Sequence, residues 1–317
     1  MGINTCMNKL RYYVLTSRHP ETLLRCLRTL PLSRTVVVIN TLDKEYESIA
    51  SDICLDKGVE YHVTESDGTP GTGKNSLLQT FLTRSDDEYA VCVDGDDFLT
   101  PYGVYLYDYI STWKNVPDLI VTHNELYSDC GDKAQEFFMR TRNYNEWKGK
   151  GEFNTLRMAE AQFTQSLEED IEECIKQTEH MWDEDASIHW ATQWNRFRNF
   201  MNNIGDISVC STRMVFWSRK VAELAHYSNE LYIGEDTIQY FDFKQMYGRG
   251  EIDICYHLET PFPTYIYVSD NIREPATCYL SHPTDIDWVD NLMKVVEQRP
   301  PYEYDEFTKP VDIFEYK

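Results

Sequence analysis

The sequence predicts an α/β protein built on a mostly parallel sheet flanked by helices. Three observations carry that reading. Over the first hundred residues, β-prone runs alternate with amphipathic stretches, as βαβ units require. One run, Thr35-Val36-Val37-Val38-Ile39, is unbroken, as in a strand buried on both faces. The 317 residues are 42% apolar and 26% charged, a balance that can fill a core rather than remain disordered. At about 150 residues per domain, that length suits one large domain or two small ones.

The elements follow in order. Leu10–Thr16 is apolar and β-prone, and Ser17-Arg18-His19-Pro20 ends it. Pro20 favours a helix start, and Leu23, Leu24, Cys26, Leu27 and Leu30 give Glu21–Leu30 an inner face. Arg34–Asn40 is the second strand. In Asp43–Lys57, Tyr46, Ile49, Ala50, Ile53 and Cys54 recur at helical spacing. Gly58–Thr64 is a third, more polar strand, and Ser66–Gly73 reads as a Gly/Pro/Thr loop. Asn75–Thr83 is helical, and Glu88–Val93 is a strand running into Asp94-Gly95-Asp96-Asp97. A short helix around Pro101–Lys114 precedes a strand at Asp118–Thr122.

Beyond this the pattern changes. Residues 155–185 form an acidic helical stretch, with nine acids and one lysine between Glu168 and Asp185, which reads as a solvated helix face. In the aromatic-basic segment His189–Phe200, Trp190, Trp194 and Phe197 fit one buried helix face. Residues 208–246 return to α/β character, Cys255–Val268 is β-rich, and the tail after Pro300-Pro301 is aromatic and acidic.

The formal charge is −23, which argues against broad neutralisation of nucleic-acid phosphates. No apolar run approaches the ~20 residues of a membrane span, and Met1–Asn8 has no signal-peptide core. Nine cysteines are scattered with no CxxC pair, which reads as reduced thiols of a cytosol, a host's if the chain is viral.

The most informative segment is Tyr89-Ala90-Val91-Cys92-Val93-Asp94-Gly95-Asp96-Asp97. A buried strand delivers three carboxylates to its C-terminal edge, where open α/β sheets bind ligands. Like charges gathered there call for a cation, and a divalent metal holding a diphosphate is the natural partner. Taken alone, the tetrapeptide is equally an acidic loop capping the next helix. Gly68-Thr69-Pro70-Gly71-Thr72-Gly73-Lys74 satisfies the first part of a phosphate-binding P-loop, but Asn75 stands where the magnesium-binding Ser or Thr belongs, and the preceding strand is polar. A P-loop phosphotransferase is therefore the rival reading.

In context, residues 10–110 resemble the GT-A glycosyltransferases, glycosyltransferase family 2 in particular. The resemblance lies in the opening strand and Leu-rich helix, in Val37-Val38-Ile39-Asn40-Thr41, in Gly71-Thr72-Gly73-Lys74-Asn75 before a helix, and in the carboxylate motif with Pro101 beyond it. A second match is Gly234-Glu235-Asp236-Thr237, similar to the family's Gly-Glu-Asp segment in the acceptor half. Tyr256–Pro261 and Thr264–Asn271 resemble its closing strands more loosely.

Residues 125–205 have no counterpart in the family and read as a helical insertion near 150–205. The resemblance implies a GT-A fold. It implies a nucleotide half over 1–125 and an acceptor-shaping half over 126–317, within one continuous domain. It also implies transfer of a hexosyl or pentosyl group from a nucleoside diphosphate sugar, UDP-linked by expectation, to a hydroxyl acceptor, with inversion. Mn2+ or Mg2+ would bridge Asp96, with Asp94 or Asp97, to the diphosphate; Asp94 is alternatively a ribose ligand. Thr16, Asn40, Asp67 and Lys74 would line the nucleotide. Asp236, beside Glu235, would be the base, since a hydroxyl is a weak nucleophile until a carboxylate takes its proton. Otherwise Glu235 and Asp236 simply place negative charge at a helix N-terminus.

His19 lies near the expected nucleotide pocket, and His257 is a candidate metal ligand. Acceptors open to such a chain are a lipid-linked glycan, a protein, a small molecule or a hydroxymethylated base of phage DNA. The last requires a local basic channel, for which Arg196, Arg198, Arg213, Arg219 and Lys220 are candidates. A GT-A-like binding protein without catalysis is the third possibility.

Overall fold

The computed structural model describes residues 10–84, 86–122, 125–128, 131–140, 183–203, 213–231, 234–256, 263–268 and 288–298. The acidic stretch before residue 183, His257 and the C-terminal tail fall outside the described residues.

Period-2 alternation builds the first layer. In β1 (Leu10–Thr16), Tyr13 packs into a core on one face while Leu10, Tyr12 and Val14 pack into a core on the other. In β2 (Thr35–Asn40), Val36 and Val38 divide from Val37 and Ile39 in the same way, so every residue of the strand is buried. β3 (Glu60–Thr64) pairs parallel to β2 at the sheet edge, which accounts for its polar, exposed sequence. β4 (Tyr89–Asp94) pairs parallel to β1 on its other side, with Leu15 opposite Asp94.

The seven-stranded sheet has the order β3-β2-β1-β4-β8-β6-β9, completed by β6 (Leu119–Thr122), β8 (Arg213–Ser218) and β9 (Ile254–Tyr256). Only β8 runs antiparallel, between β4 and β6. A smaller sheet, β5-β10-β7, joins β5 (Phe98–Leu99), β10 (Tyr265–Val268) and β7 (Glu125–Ser128). Strands from both sides of residue 125 thus share each sheet.

On one face pack α1 (Pro20–Leu27), α2 (Lys44–Lys57) and α4 (Pro101–Ile110). On the other pack α3 (Pro70–Leu82), α7 (Arg219–Leu224), α8 (Glu235–Gly248) and α9 (Trp288–Glu297). α5 (Gly131–Arg140) lies against the small sheet, and α6 (Glu184–Asn203) is tied to α9 by an Arg196–Asp290 ion pair. The result is an α/β fold with a mostly parallel seven-stranded sheet flanked by helices on both faces, as the sequence predicts.

Several boundaries differ from expectation. Gly58 caps α2, so that β3 begins at Glu60, and α4 ends at Ile110 rather than near Lys114. α1 ends at Leu27, and Leu30 is buried beyond the helix rather than on it. The expected Ser66–Gly73 loop is shorter, because α3 begins at Pro70. Thr69 caps it, accepting from the Thr72 amide at 3.3 Å, and Pro70 needs no amide partner at the first position. Gly71 and Gly73 are therefore packing residues of a helix. A Cβ on Gly71 would lie 2.2 Å from the Ser228 carbonyl oxygen, and one on Gly73 would press Leu15 at 3.2 Å. The same finding counts against the P-loop reading, since the first-turn amides that would cradle a phosphate are largely taken: Pro70 has none, Thr72 donates to the Thr69 hydroxyl and Gly73 to the Thr69 carbonyl at 3.4 Å. Asn75 instead clamps Tyr227, accepting from its amide at 2.9 Å and donating to its carbonyl at 2.8 Å.

Candidate functional site

β1 and β4 end side by side, and the carboxylates are delivered there. The turn after Asp94 is pinned by the Gly95 amide donating to the Leu15 carbonyl at 2.7 Å. A Cβ on Gly95 would meet that oxygen and the Thr16 Cβ at 2.8 Å each, so glycine alone fits this approach. The Asp97 amide then donates to the Asp94 carbonyl at 3.0 Å.

The three carboxylates receive different environments. Asp97 is 1% exposed and held at both oxygens, by the Tyr265 hydroxyl at 2.8 Å and the Val268 amide at 2.9 Å. Asp94 is half-buried and accepts from Arg213 Nη1 at 2.5 Å, while Arg213 Nη2 lies 3.6 Å from Asp97. The Arg213 guanidinium also sits over the Tyr267 and Tyr265 rings, 4.8 and 5.6 Å from their centroids. Asp96 is half-buried, and the Arg25 guanidinium donates to its backbone carbonyl at 3.0 Å. Burial, and then the Asp94 charge, push the Asp96 carboxyl above its ordinary value; burial and Asp96 do the same to Asp97. Arg213 opposes both shifts.

The second cluster lies across the cleft. Gly234, at φ 85°, turns the chain into α8 and sets Glu235 and Asp236 in its first turn. Lys74, from α3, donates to Glu235 at 2.8 Å and pairs with Asp236. Its ammonium lies 5.5 Å from the Tyr227 ring centroid. Burial alone would lower the Lys74 ammonium, but Asp236, Glu235 and Asp94 together raise it, so it stays charged. Glu235 is 5% exposed, and burial pushes its carboxyl up against the pull of Lys74.

Both clusters border one cleft of ≈ 520 Å³, open solvent at its mouth included. Lys74, Asp94, Arg213 and Asp236 supply its polar lining, and Leu15, Trp217, Tyr227 and Tyr265 are among its apolar walls. The cleft thus lies at the carboxyl ends of β1 and β4, the binding edge of an open α/β sheet.

The remaining expected residues lie around it. Thr16 is buried and shares a hydrogen bond with the Tyr46 hydroxyl. Asn40 donates to Thr64 at 2.9 Å and to the Glu65 carbonyl at 2.8 Å, tying β2 to β3. Asp67 accepts from the Thr69 amide at 2.9 Å and from the Thr69 and Thr72 hydroxyls at 2.7 Å each. Burial would raise its carboxyl, and these bonds outweigh it and hold it below the ordinary value. None of the three lines the cleft. His19 follows β1 at φ 56° and is likewise absent from the lining.

Sequence reasoning missed Arg213 and Tyr265 as parts of this site. Arg213 was singled out only as a basic-channel candidate, and Tyr265 only as part of the loose Thr264–Asn271 match, so neither was tied to the carboxylate turn.

Nor do the proposed basic-channel residues gather. Arg213 and Arg219 flank β8, whose six residues span about 20 Å. Arg219 donates to the Leu82 and Asp87 carbonyls, and Lys220 pairs with Asp118 at 2.9 Å. The Arg198 side chain lies outside the described residues.

Among the described residues no group of three or more His, Cys, Asp or Glu forms a ready metal cluster. A divalent ion that keeps several waters and takes its other ligands from a diphosphate needs only one or two carboxylates. Asp96, whose side chain has no ion pair among the described residues, and Asp94, which is paired with Arg213, are the two carboxylates of the turn that would meet that requirement. No helix among the described residues is long and apolar enough to cross a membrane.

No family model matches the chain, and no curated protein matches it. Among solved structures, it is similar to residues 1–349 of S. aureus TarS, at 10% identity over 81% of this chain and 60% of that one, with a TM-score of 0.43. The same TarS fragment in complex with UDP matches at 12% identity, over 82% of this chain and 60% of that one, with a TM-score of 0.43. A further TarS structure matches at 11% identity over 82% of this chain and 36% of that one, with a TM-score of 0.41. The chain thus spans less than two thirds of the length of these proteins. The TM-scores lie below 0.5, so the site's own residues carry the functional reading.

Proposed function

We propose that this chain transfers a sugar from a nucleoside diphosphate sugar to a hydroxyl acceptor. One observation carries the reading: a single cleft at the carboxyl edge of the sheet is lined by the carboxylates Asp94 and Asp236 and by the cations Lys74 and Arg213. Separated charges of both signs suit a diphosphate leaving group on one side and a proton acceptor on the other. UDP is the nucleotide that the family resemblance implies.

Asp96 and Asp94 would hold Mn2+ or Mg2+ against the diphosphate. When bound, that ion offsets the charge that develops on the leaving phosphate. Asp97, locked by Tyr265 and Val268, fixes the turn that presents the other two. Asp236, with a side chain 38% exposed, faces the acceptor, whereas Glu235 at 6% anchors Lys74. In a single displacement, the acceptor O–H proton passes to the Asp236 carboxylate as the new C1–O bond forms. The bond from C1 to the β-phosphate oxygen breaks with its electron pair on the departing nucleotide, so C1 inverts.

Replacing Asp236→Asn tests the assignment. Transfer, followed by release of UDP from UDP-glucose, UDP-galactose and UDP-N-acetylhexosamines, should fall at least ~100-fold, the scale of one general base. UDP affinity should stay within a factor of about three in the same variant. Undiminished turnover would remove Asp236 from the mechanism. Binding of UDP sugars by the wild type with no turnover on any acceptor would leave a binding protein.

A further inference from the structure

Arg213 was not anticipated at this site, and the structure puts it at the centre. Its guanidinium contacts one of the two carboxylates best placed to hold a cation, Asp94, and reaches the buried Asp97 with its other nitrogen. It also lines the cleft where a diphosphate would lie. We propose that Arg213 is an exchangeable counter-ion. In the nucleotide-free protein it neutralises Asp94 and withholds it from a divalent cation. An incoming diphosphate draws the guanidinium onto itself, and the cation site is completed as the nucleotide binds.

This proposal rests on the sugar-transfer reading and deepens it. Four observations support it. First, the pair is partly solvated, with side chains 22% and 32% exposed, so its parting costs little compared with a buried pair. Second, the planar guanidinium lies over the Tyr267 and Tyr265 rings, a platform that keeps it near the cleft after it leaves Asp94. Third, a guanidinium matches phosphate oxygens by its two-pronged geometry, and a diphosphate carries more charge than one carboxylate.

The fourth observation separates Arg213 from the other cation. Lys74 is held by two carboxylates at once and is 17% exposed, with Glu235 buried beside it. Moving Lys74 would break close pairs to two carboxylates, one of them buried, whereas moving Arg213 breaks one close pair, to the part-exposed Asp94, and a longer 3.6 Å contact to the buried Asp97. Asp97 keeps its Tyr265 and Val268 partners throughout. Nucleotide and cation binding should therefore be cooperative, with each weak alone.

Arg213→Gln and Arg213→Lys test this, with Mn2+ binding read by electron paramagnetic resonance and UDP binding by calorimetry. The wild type should bind Mn2+ weakly without nucleotide. The Gln variant should bind Mn2+ alone about tenfold more tightly, and should bind UDP in EDTA about tenfold more weakly, the scale of one charge-assisted contact. The Lys variant keeps the charge without the fork and should show both effects in part; it carries the test if the Gln variant does not fold. Folded variants with wild-type affinity for both Mn2+ and UDP would overturn the exchange while leaving the sugar-transfer reading intact. A wild type that binds no nucleoside diphosphate, with or without Mn2+, would overturn the transferase reading and the exchange with it.

Discussion

Asp96 carries the least compensated charge at the carboxylate turn. Its carboxyl is raised because burial and Asp94 both penalise the ionised form, while Arg213 and Arg25 only partly offset this. The folded protein then binds the Asp96 proton more tightly than the unfolded chain does. Stability from this group is full below the ordinary carboxyl value of 3.8 and is lost as pH rises through the raised value. Asp96→Asn should therefore raise the melting temperature of the metal-free protein at pH 7, and do so much less at pH 4. The same variant should lose most of the stabilisation that Mn2+ and UDP together give the wild type. Scanning calorimetry at the two pH values checks this; a neutral-pH variant less stable than the wild type would mean that Asp96 is favourably paired. At Lys74 the sign is the same, because Asp236 and Glu235 make the folded protein hold that proton more tightly too, but the loss falls only above the ordinary value of 10.5, so the Lys74 charge stabilises the fold at pH 7.

The elements show why some of this was legible in the sequence and some was not. β1, β2 and β4 were plain, because strands buried on both faces leave long apolar runs and these set the sheet's register. The Asp94–Asp97 turn and the Gly234–Asp236 helix start were also plain, because a strand end and a helix start each have local chemistry. α3 was misread at its beginning, since glycines inside Pro70–Leu82 look like loop residues until the neighbour they accommodate is known. Gly71 faces the Ser228 backbone, 157 positions along the chain, and no local pattern encodes that contact. Gly71→Ala should thus destabilise the protein by about 1–3 kcal/mol despite alanine's better helix propensity, because the added methyl meets rigid backbone. Urea unfolding would show the midpoint falling; a rise would mean that α3 can shift away from Ser228. Arg213 was hidden for a similar reason. Its strand is the antiparallel one, inserted between β4 and β6 from late in the chain, so its neighbours at the site are set by topology.

At the scale of the whole molecule, a formal charge of −23 surrounds a cleft whose own acids are matched by Lys74 and Arg213. A polyanionic acceptor meets a net negative charge, and Arg219 and Lys220 are committed to the Asp87 carbonyl and the Asp118 carboxylate. Duplex DNA should accordingly show no retention in a gel shift at low salt, where electrostatic binding is strongest; binding that weakens steeply with salt would restore a nucleic-acid acceptor. A compact, highly charged leaving group can still enter, because only the local charges decide its fit. The most direct measurement of the central claim is calorimetric titration of UDP into the wild-type chain, with and without Mn2+. The predicted result is saturable one-to-one binding that Mn2+ strengthens about tenfold or more, as joint assembly of cation and diphosphate requires. No heat and no saturation under either condition would contradict it.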